Sequence, residues 1–424
     1  MQKLPFQEKE KMNIKKIFAF LLFFQTSCIS ISDDPFLITV VIMVKNEASV
    51  ICQTLQPLVD GGIKSFLVYD TGSTDGTQNI AQNFFKKNNL FHTKIIEEPF
   101  IDFSTSRNKA ITYAEKFFPK TTFILMPDAE WYMSGVEELL DFCQQEKNSA
   151  HNSYYVTNYL TDSNTSRENS YRFSHAVLFR PFKNIKFEGV VHEGLNVSTS
   201  CGVPENCFFE YRPNQSGQQK TEERWRRDEQ ALLQSLEKNP SDAGAFLRLG
   251  YTYHCLSEWE NAYASYTKRL TLPISDGENF LVELRLGDIV QHIPSECAKA
   301  SQLCCPAIEH YLRAHILFPH RAEPLVKIAE YYLKKDIIPL AFLFSLQASR
   351  LPYPTKDIFS LPIEGAAYNI TRYDILGTAA WYVQEYELGE WAIRQALAAA
   401  PENKRLHNNL KFYINRSLTK KEQA

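Results

Sequence analysis

The run LITVVIMV at residues 37–44 narrows what this chain can fold into. Every residue in it is apolar or β-branched, and none alternates with a polar one. A strand of that kind is buried on both faces, as in a parallel sheet covered by helices. The next hundred residues repeat the theme. The pattern predicts a helix over 47–59, a strand at FLVYD (66–70) closed by TGSTDGT, and a helix over 77–87. It then predicts a strand at 93–98, a helix at 104–117, a strand at 121–126 and a helix near 135–147. Such β-then-α units imply an α/β fold with a mostly parallel sheet. Sheets of this type bind ligands beyond the carboxyl ends of their strands. Asp70 and Asp128 both fall at such ends.

Residues 153–211 change character: YYVTNYL, YRFSHAVLFR, NIKFEGVV and CFFEYR read as short strands extending the sheet. RPNQSGQQK (212–220) reads as a polar linker. From Thr221 the pattern is helical. Leu-Gly pairs recur at Leu249-Gly250, Leu286-Gly287 and Leu376-Gly377, and helical stretches stop at Pro240, Pro273, Pro319, Pro352 and Pro401. Two of those proline gaps are 33 residues (273 − 240 and 352 − 319), near the period of about 34 of tetratricopeptide helix pairs. The longer gaps imply insertions. The expected organisation is therefore 1–35 leader, 36–211 sheet domain, 212–220 linker and 221–416 tetratricopeptide-like solenoid, an all-α second half.

A length of 424 residues suits two or three domains. The net charge of −3, with acids and bases interspersed, argues against a nucleic-acid partner. Lys15 and Lys16 precede IFAFLLFF (17–24) and then small residues, the outline of a signal peptide or N-terminal anchor. That outline predicts the secretory pathway or cell envelope and membrane association through the N-terminus, with a cytoplasmic chain as the alternative. In an oxidising compartment Cys201 and Cys207 are close enough to suggest a disulfide, and Asn164, Asn196, Asn214, Asn369 and Asn415 head glycosylation sequons. Cys304 and Cys305 read as core thiols of a helix.

The chemistry concentrates in a few places. FILMPDAEWYM (123–133) drives an apolar run through Pro127 into Asp128 and Glu130. In extended chain, residues two apart point the same way, about 6.6 Å apart at ~3.3 Å per residue. The two acids are thus expected to face one site, with oxygen ligands of the kind that suit a hard divalent cation such as Mn or Mg. Arg107 and Lys109 near a helix start are cationic donors for phosphate, with a solvated helix face as the plain alternative for Lys109. Asp75 reads as a helix cap. His192-Glu193 has no second histidine four residues on, so it is not a zinc-protease motif.

ITVVIMVKNEASVI (38–51), VYDTGSTDGT (68–77), STSRNKAI (104–111) and MPDAEWYM (126–133), in that order, resemble a family 2 glycosyltransferase with the GT-A fold, a Rossmann-related sheet. The resemblance covers about residues 36–195, and the whole chain is similar to transferases carrying C-terminal tetratricopeptide repeats, with residues 220–240 as their junction. It implies that Lys45, Asn46, Glu47, Asp70, Arg107, Asn108 and Asp128 bind a nucleotide-sugar, a UDP-sugar favoured. It implies that Asp128, Glu130 and His192 hold the metal, and that Glu193 is the catalytic base of an inverting transfer. Arg180 is a weaker candidate for the same crevice. Glu130 stands where the family has Asp, and the family's usual Glu-Asp base motif is missing. The expected function is transfer of a sugar to an acceptor protein or glycan, with the solenoid binding acceptor or partner. The alternative is a degenerate transferase acting as a scaffold. A nucleotidyltransferase would want a glycine-rich basic loop that KNEASVI lacks.

Overall fold

The structure, a computed structural model, describes residues 34–161, 165–191, 193–197, 199, 201–212, 217–297, 305–354 and 361–422. The expected leader, apart from its last two residues, lies outside that set, as do His192, Cys304 and the sequons at Asn164 and Asn214. No helix among the described residues is long and apolar enough to cross a membrane.

The N-terminal half is an α/β sheet domain. Its strands are β1 (Ile38–Val44), β2 (Ser65–Asp70), β3 (His92–Glu97), β4 (Phe123–Leu125), β5 (Trp131–Ser134), β6 (Ser153–Leu160), β7 (Tyr171–Phe179) and β10 (Phe208–Tyr211). They lie in the order β3-β2-β1-β4-β7-β6-β10-β5. The first four strands in that order are parallel, and β7 runs antiparallel to both β4 and β6. The short strands β8 (Phe187–Glu188) and β9 (Gly194–Leu195) form a separate hairpin.

Period-two alternation inside β1 explains why the run is apolar throughout. Val40, Ile42 and Val44 face a core with Ile51 and Leu55 of helix α1 (Ile51–Asp60) and Ala81 of α2 (Thr77–Lys87). Val41 faces the other side, where Ala110, Ile111 and Ala114 of α3 (Phe103–Phe117) pack. Helix α4 (Val136–Gln145) covers the first face through Leu139 and Leu140.

Helix α1 starts four residues later than the pattern predicts. The Glu47 carbonyl turns the chain by accepting from the amides of Val50 and Ile51, and Asn46 takes a left-handed φ of 58°. Side chains of Asp75 and Thr77 bind the amides of Ala48 and Glu47, so these residues form a loop instead of a first turn.

The C-terminal half is helical. It begins with α5 (Gly217–Lys238) and continues as antiparallel pairs: α6 (Ala243–Cys255) with α7 (Trp259–Leu270), α8 (Asp276–Val290) with α9 (Pro306–Leu317), α10 (Glu323–Lys334) with α11 (Ile338–Ser349), and α12 (Arg372–Tyr382) with α13 (Tyr386–Ala399). Helix α14 (Lys404–Glu422) closes the stack. The recurring Leu-Gly glycines allow each pair to close. A Cβ on Gly250 would stand 2.7 Å from the Tyr266 ring, one on Gly377 would stand 2.5 Å from Ile393, and one on Gly287 would run into Tyr311. The two long proline gaps hold the insertions: one lies between α8 and α9, the other between α11 and α12. Cys305 is buried at the residue before α9.

The second insertion carries β11 (Ile363–Glu364), which pairs antiparallel with β7 at Arg172 and Tyr171. Around it, the Gly365 amide donates to the Ser170 carbonyl at 3.1 Å and the Asn369 side-chain amide to the Glu168 carbonyl at 2.8 Å. Arg321 and Glu323, each 1 % exposed, form a buried ion pair, and Arg321 also reaches the Pro362 carbonyl at 2.5 Å. The helical half thus adds a strand to the sheet of the other half.

Candidate functional site

A crevice opens at the carboxyl ends of β1, β2 and β4. Asp70 ends β2 and is fully buried. Its Oδ1 accepts from the amides of Gly72 (2.8 Å) and Ser73 (2.7 Å), while its buried Oδ2 has no partner. Gly72 sits at φ +99°, where an L side chain is strained, and this is what lets the chain fold back onto Oδ1. The neighbouring loop is tied to that turn. Asn46 donates its amide to Ser73 Oγ at 2.8 Å and accepts from the Thr74 amide at 2.8 Å. Asp75 stands one residue before the Gly76 N-cap of α2 and accepts from the Thr77 amide and hydroxyl, a structural part although not the cap its position predicts. Lys45 is exposed at the rim, and Glu47 is half-buried beside it.

Across the crevice, Arg107 on α3 spans two carboxylates. Its Nη2 donates to Asp128 Oδ1 at 2.5 Å and its Nε to Glu193 Oε1. Arg107 and Glu193 side chains are nearly enclosed, whereas the Asp128 side chain is 49 % exposed. Burial works against the Arg107 charge, and the two carboxylates outweigh it.

Asp128 and Glu130 do not lie in extended chain. The Trp131 amide donates to the Asp128 carbonyl, so residues 128–131 form a turn, and the inference that both acids point the same way is corrected. The cause is Ala129, which is buried with its carbonyl held by the Thr54 hydroxyl. Glu130 acts on the Tyr132 and Tyr211 hydroxyls, whose titration is pushed up by burial first and then by that carboxylate.

Four other expectations are revised. Asn108 does not reach into the crevice: its carboxamide pairs with both the N–H and C=O of Phe187, fastening β8 to α3. Lys109 pairs with Glu98 at 2.8 Å, the solvated-face alternative. Arg180 serves the far end of the sheet, donating to carbonyls of His151, Lys147 and Ser149 and lying over Phe123. Cys201 and Cys207 are free thiols: Cys201 meets His151 and Cys207 the Gly135 carbonyl, so the suggested disulfide is absent.

Two residues of the site carry little signal in the sequence. His175 on β7 stacks on Trp131 with centroids 5.3 Å apart. The residue is exposed, and Asp128 and Arg107 act on its ring in opposite senses. Asp228 on α5 is 5 % exposed and feels the charge of Glu193. Only the acidic and basic density of KTEERWRRDEQ marks that helix.

Among the described residues no group of three His, Cys, Asp or Glu converges as a metal cage. Asp128, half-exposed with one oxygen engaged, and Glu130 on the same turn are oxygen donors of the kind a hard cation takes.

Residues 39–203 match the family model for glycosyl transferase family 2. The described sheet and the crevice lie largely within this family 2 segment, while Asp228 lies outside it. No curated protein matches the chain. Solved structures similar to it include MamA (17 % identity, 45 % of this chain and 96 % of that one, TM-score 0.34) and YrrB, described as a TPR protein with an unusual peptide-binding site (14 %, 45 % and 86 %, TM-score 0.33). The C-terminal part of a TPR repeat-containing protein from Cytophaga hutchinsonii is also similar (15 %, 45 % and 67 %, TM-score 0.34).

Proposed function

We propose that this chain is an inverting, metal-dependent glycosyltransferase that moves a sugar from a nucleoside diphosphate, UDP favoured, to a hydroxyl acceptor. The observation that carries this reading is Asp70. A carboxylate oxygen buried without a partner is uncommon and costly. It sits at a strand's carboxyl end, within the family 2 segment, and matches an N–H of a nucleobase. The turn at Oδ1 fixes the side chain, so only the atoms that cover Oδ2 would have to move for a base to reach it.

Asn46 and the loop after Asp70 brace one another and form the nucleotide wall. Asp128 and Glu130 would hold a divalent cation, which supplies positive charge against the leaving diphosphate. Arg107 keeps Asp128 oriented and adds its own charge to that side. His175, exposed and stacked on the buried Trp131, offers a flat ring that suits a sugar. Glu193, fastened to Arg107, orients the guanidinium. Because Arg107 engages that carboxylate, we assign the role of base elsewhere.

The solenoid's part also shifts. Tyr171 lies against Arg285 of α8, and the segment before β11 lies against Arg321, so a stretch of the helical half faces its own sheet. Acceptor binding belongs to the surface left open near α5.

The test is release of UDP from a panel of UDP-sugars by purified protein with Mn²⁺. Asp128→Ala is expected to lower turnover by at least about 100-fold. No release with any donor, together with no Mn²⁺-dependent binding of UDP, would overturn the reading.

A further inference from the structure

Arg224, Asp228 and Leu232 stand four residues apart on α5, which sets them along one face of that helix. Leu232 is fully buried and shares a core with Leu249, Tyr253 and Val191. Val191 belongs to the sheet domain and lies two residues before Glu193. It is 2 % exposed, a plug from one half seated in the first helices of the other. The Ser104 hydroxyl fastens the Gly189 carbonyl on the same segment. The face of α5 is thereby pressed against the strand end that carries Glu193.

One turn before Leu232 on this face stands Asp228. It is 5 % exposed and makes no ion pair or hydrogen bond among the described residues. Its position mid-helix rules out a capping role, and its unpartnered oxygens are not fully shut off from solvent. The charged groups around it are Glu193 from the sheet domain and Arg224 and Arg227 from its own helix. Arg224, exposed, acts on the Tyr211 hydroxyl in the opposite sense to Glu130 and Asp128.

We propose that Asp228, contributed by the helical half, is the base that takes the acceptor's proton, so that α5 completes the transferase site; this rests on the transferase reading above. The acceptor oxygen bonds to the anomeric carbon as the bond from that carbon to the diphosphate oxygen breaks. The electron pair leaves with the nucleoside diphosphate, and the acceptor's proton passes to the Asp228 carboxylate and then to solvent. Glu193 is already engaged by Arg107, whereas Asp228 keeps both oxygens for a substrate. Burial raises the Asp228 carboxyl above the usual carboxylate range, and the Glu193 charge adds to this against the two arginines. A carboxylate of raised basicity is the better proton acceptor near neutral pH.

Water is the simplest acceptor, so UDP release from a UDP-sugar with Mn²⁺ reads the step without knowledge of the natural acceptor. In the full chain, Asp228→Asn is expected to leave the UDP dissociation constant within about twofold, to lower UDP release ~100-fold or more, and to remove the acid limb from the pH profile of kcat/KM. Asp228→Glu, which keeps the carboxyl, is expected to retain that limb at a shifted pH. Release by Asp228→Asn equal to wild type, or an acid limb unmoved in both variants, overturns the assignment and leaves the transferase reading standing. A wild-type chain that neither binds nor hydrolyses the donors overturns both.

Discussion

At Asp70 the two carboxylate oxygens meet different fates. Oδ1 is consumed by the turn after β2, and Oδ2 is left enclosed. Asp70→Asn separates them: the amide oxygen still accepts from Gly72 and Ser73, while an NH₂ replaces the free acceptor. A nucleobase N–H would then face a donor. UDP affinity measured by calorimetry is expected to fall about 10- to 100-fold, roughly 1–3 kcal/mol, with the melting temperature little changed. An unchanged affinity would detach Asp70 from the nucleotide. The residue itself is legible in the sequence because a buried strand delivers it into turn formers. Asp128 is legible for the same reason. The run DAE reads as extended chain because Pro127 favours that backbone before it. Nothing local shows that Thr54, more than seventy residues earlier, captures the Ala129 carbonyl and bends the segment into a turn.

Elements whose signal is local are the easiest to read. Helix α2 spans the very residues its pattern predicts, and the Leu-Gly spacing locates the helix pairs because a glycine there meets an aromatic or branched side chain of the next helix. The end of α6 adds a pH dependence that no pattern announces. His254 is held down to about 4 by burial, and by the Arg285 cation, with Asp288 opposing and His292 and Lys327 adding to the repulsion. Its Nδ1 is buried without a partner, and its ring meets Trp259. Unfolded, the imidazole titrates near 6.5, so between 6.5 and 4 the unfolded chain binds more protons than the folded one. The stability it lends is complete above pH 6.5 and falls as the pH drops through 4. The loss is on the order of 1–2 kcal/mol after solvent screening. Melting curves from pH 7.5 to 4 should show a smaller decline for His254→Gln than for wild type. Parallel declines would mean that the ring titrates normally.

For the whole molecule, what matters most is least visible. The plug of Val191 into the α5–α7 core and the pairing of β11 with β7 join residues far apart in sequence, and no local pattern marks either. Val191→Ala removes two methyls from that socket, and a loss of about 1–3 kcal/mol is expected. Because Val191 anchors the strand end that carries Glu193, UDP release should fall by more than UDP affinity does. Equal losses in both would indicate general loosening only.

The pairing of Ile363 with Arg172 has a consequence for how this protein is made. On a ribosome, β7 emerges long before β11, with roughly 190 residues still to be synthesised. At about 5–20 residues per second that is a wait of some ten to forty seconds. During that interval one end of β7 lacks its partner strand, while the socket for Val191 is completed earlier, once Ile293 has been added. The nascent sheet domain must therefore remain competent to accept a strand from the far end of its own chain, and translation stalled just before Ile363 leaves that seam open.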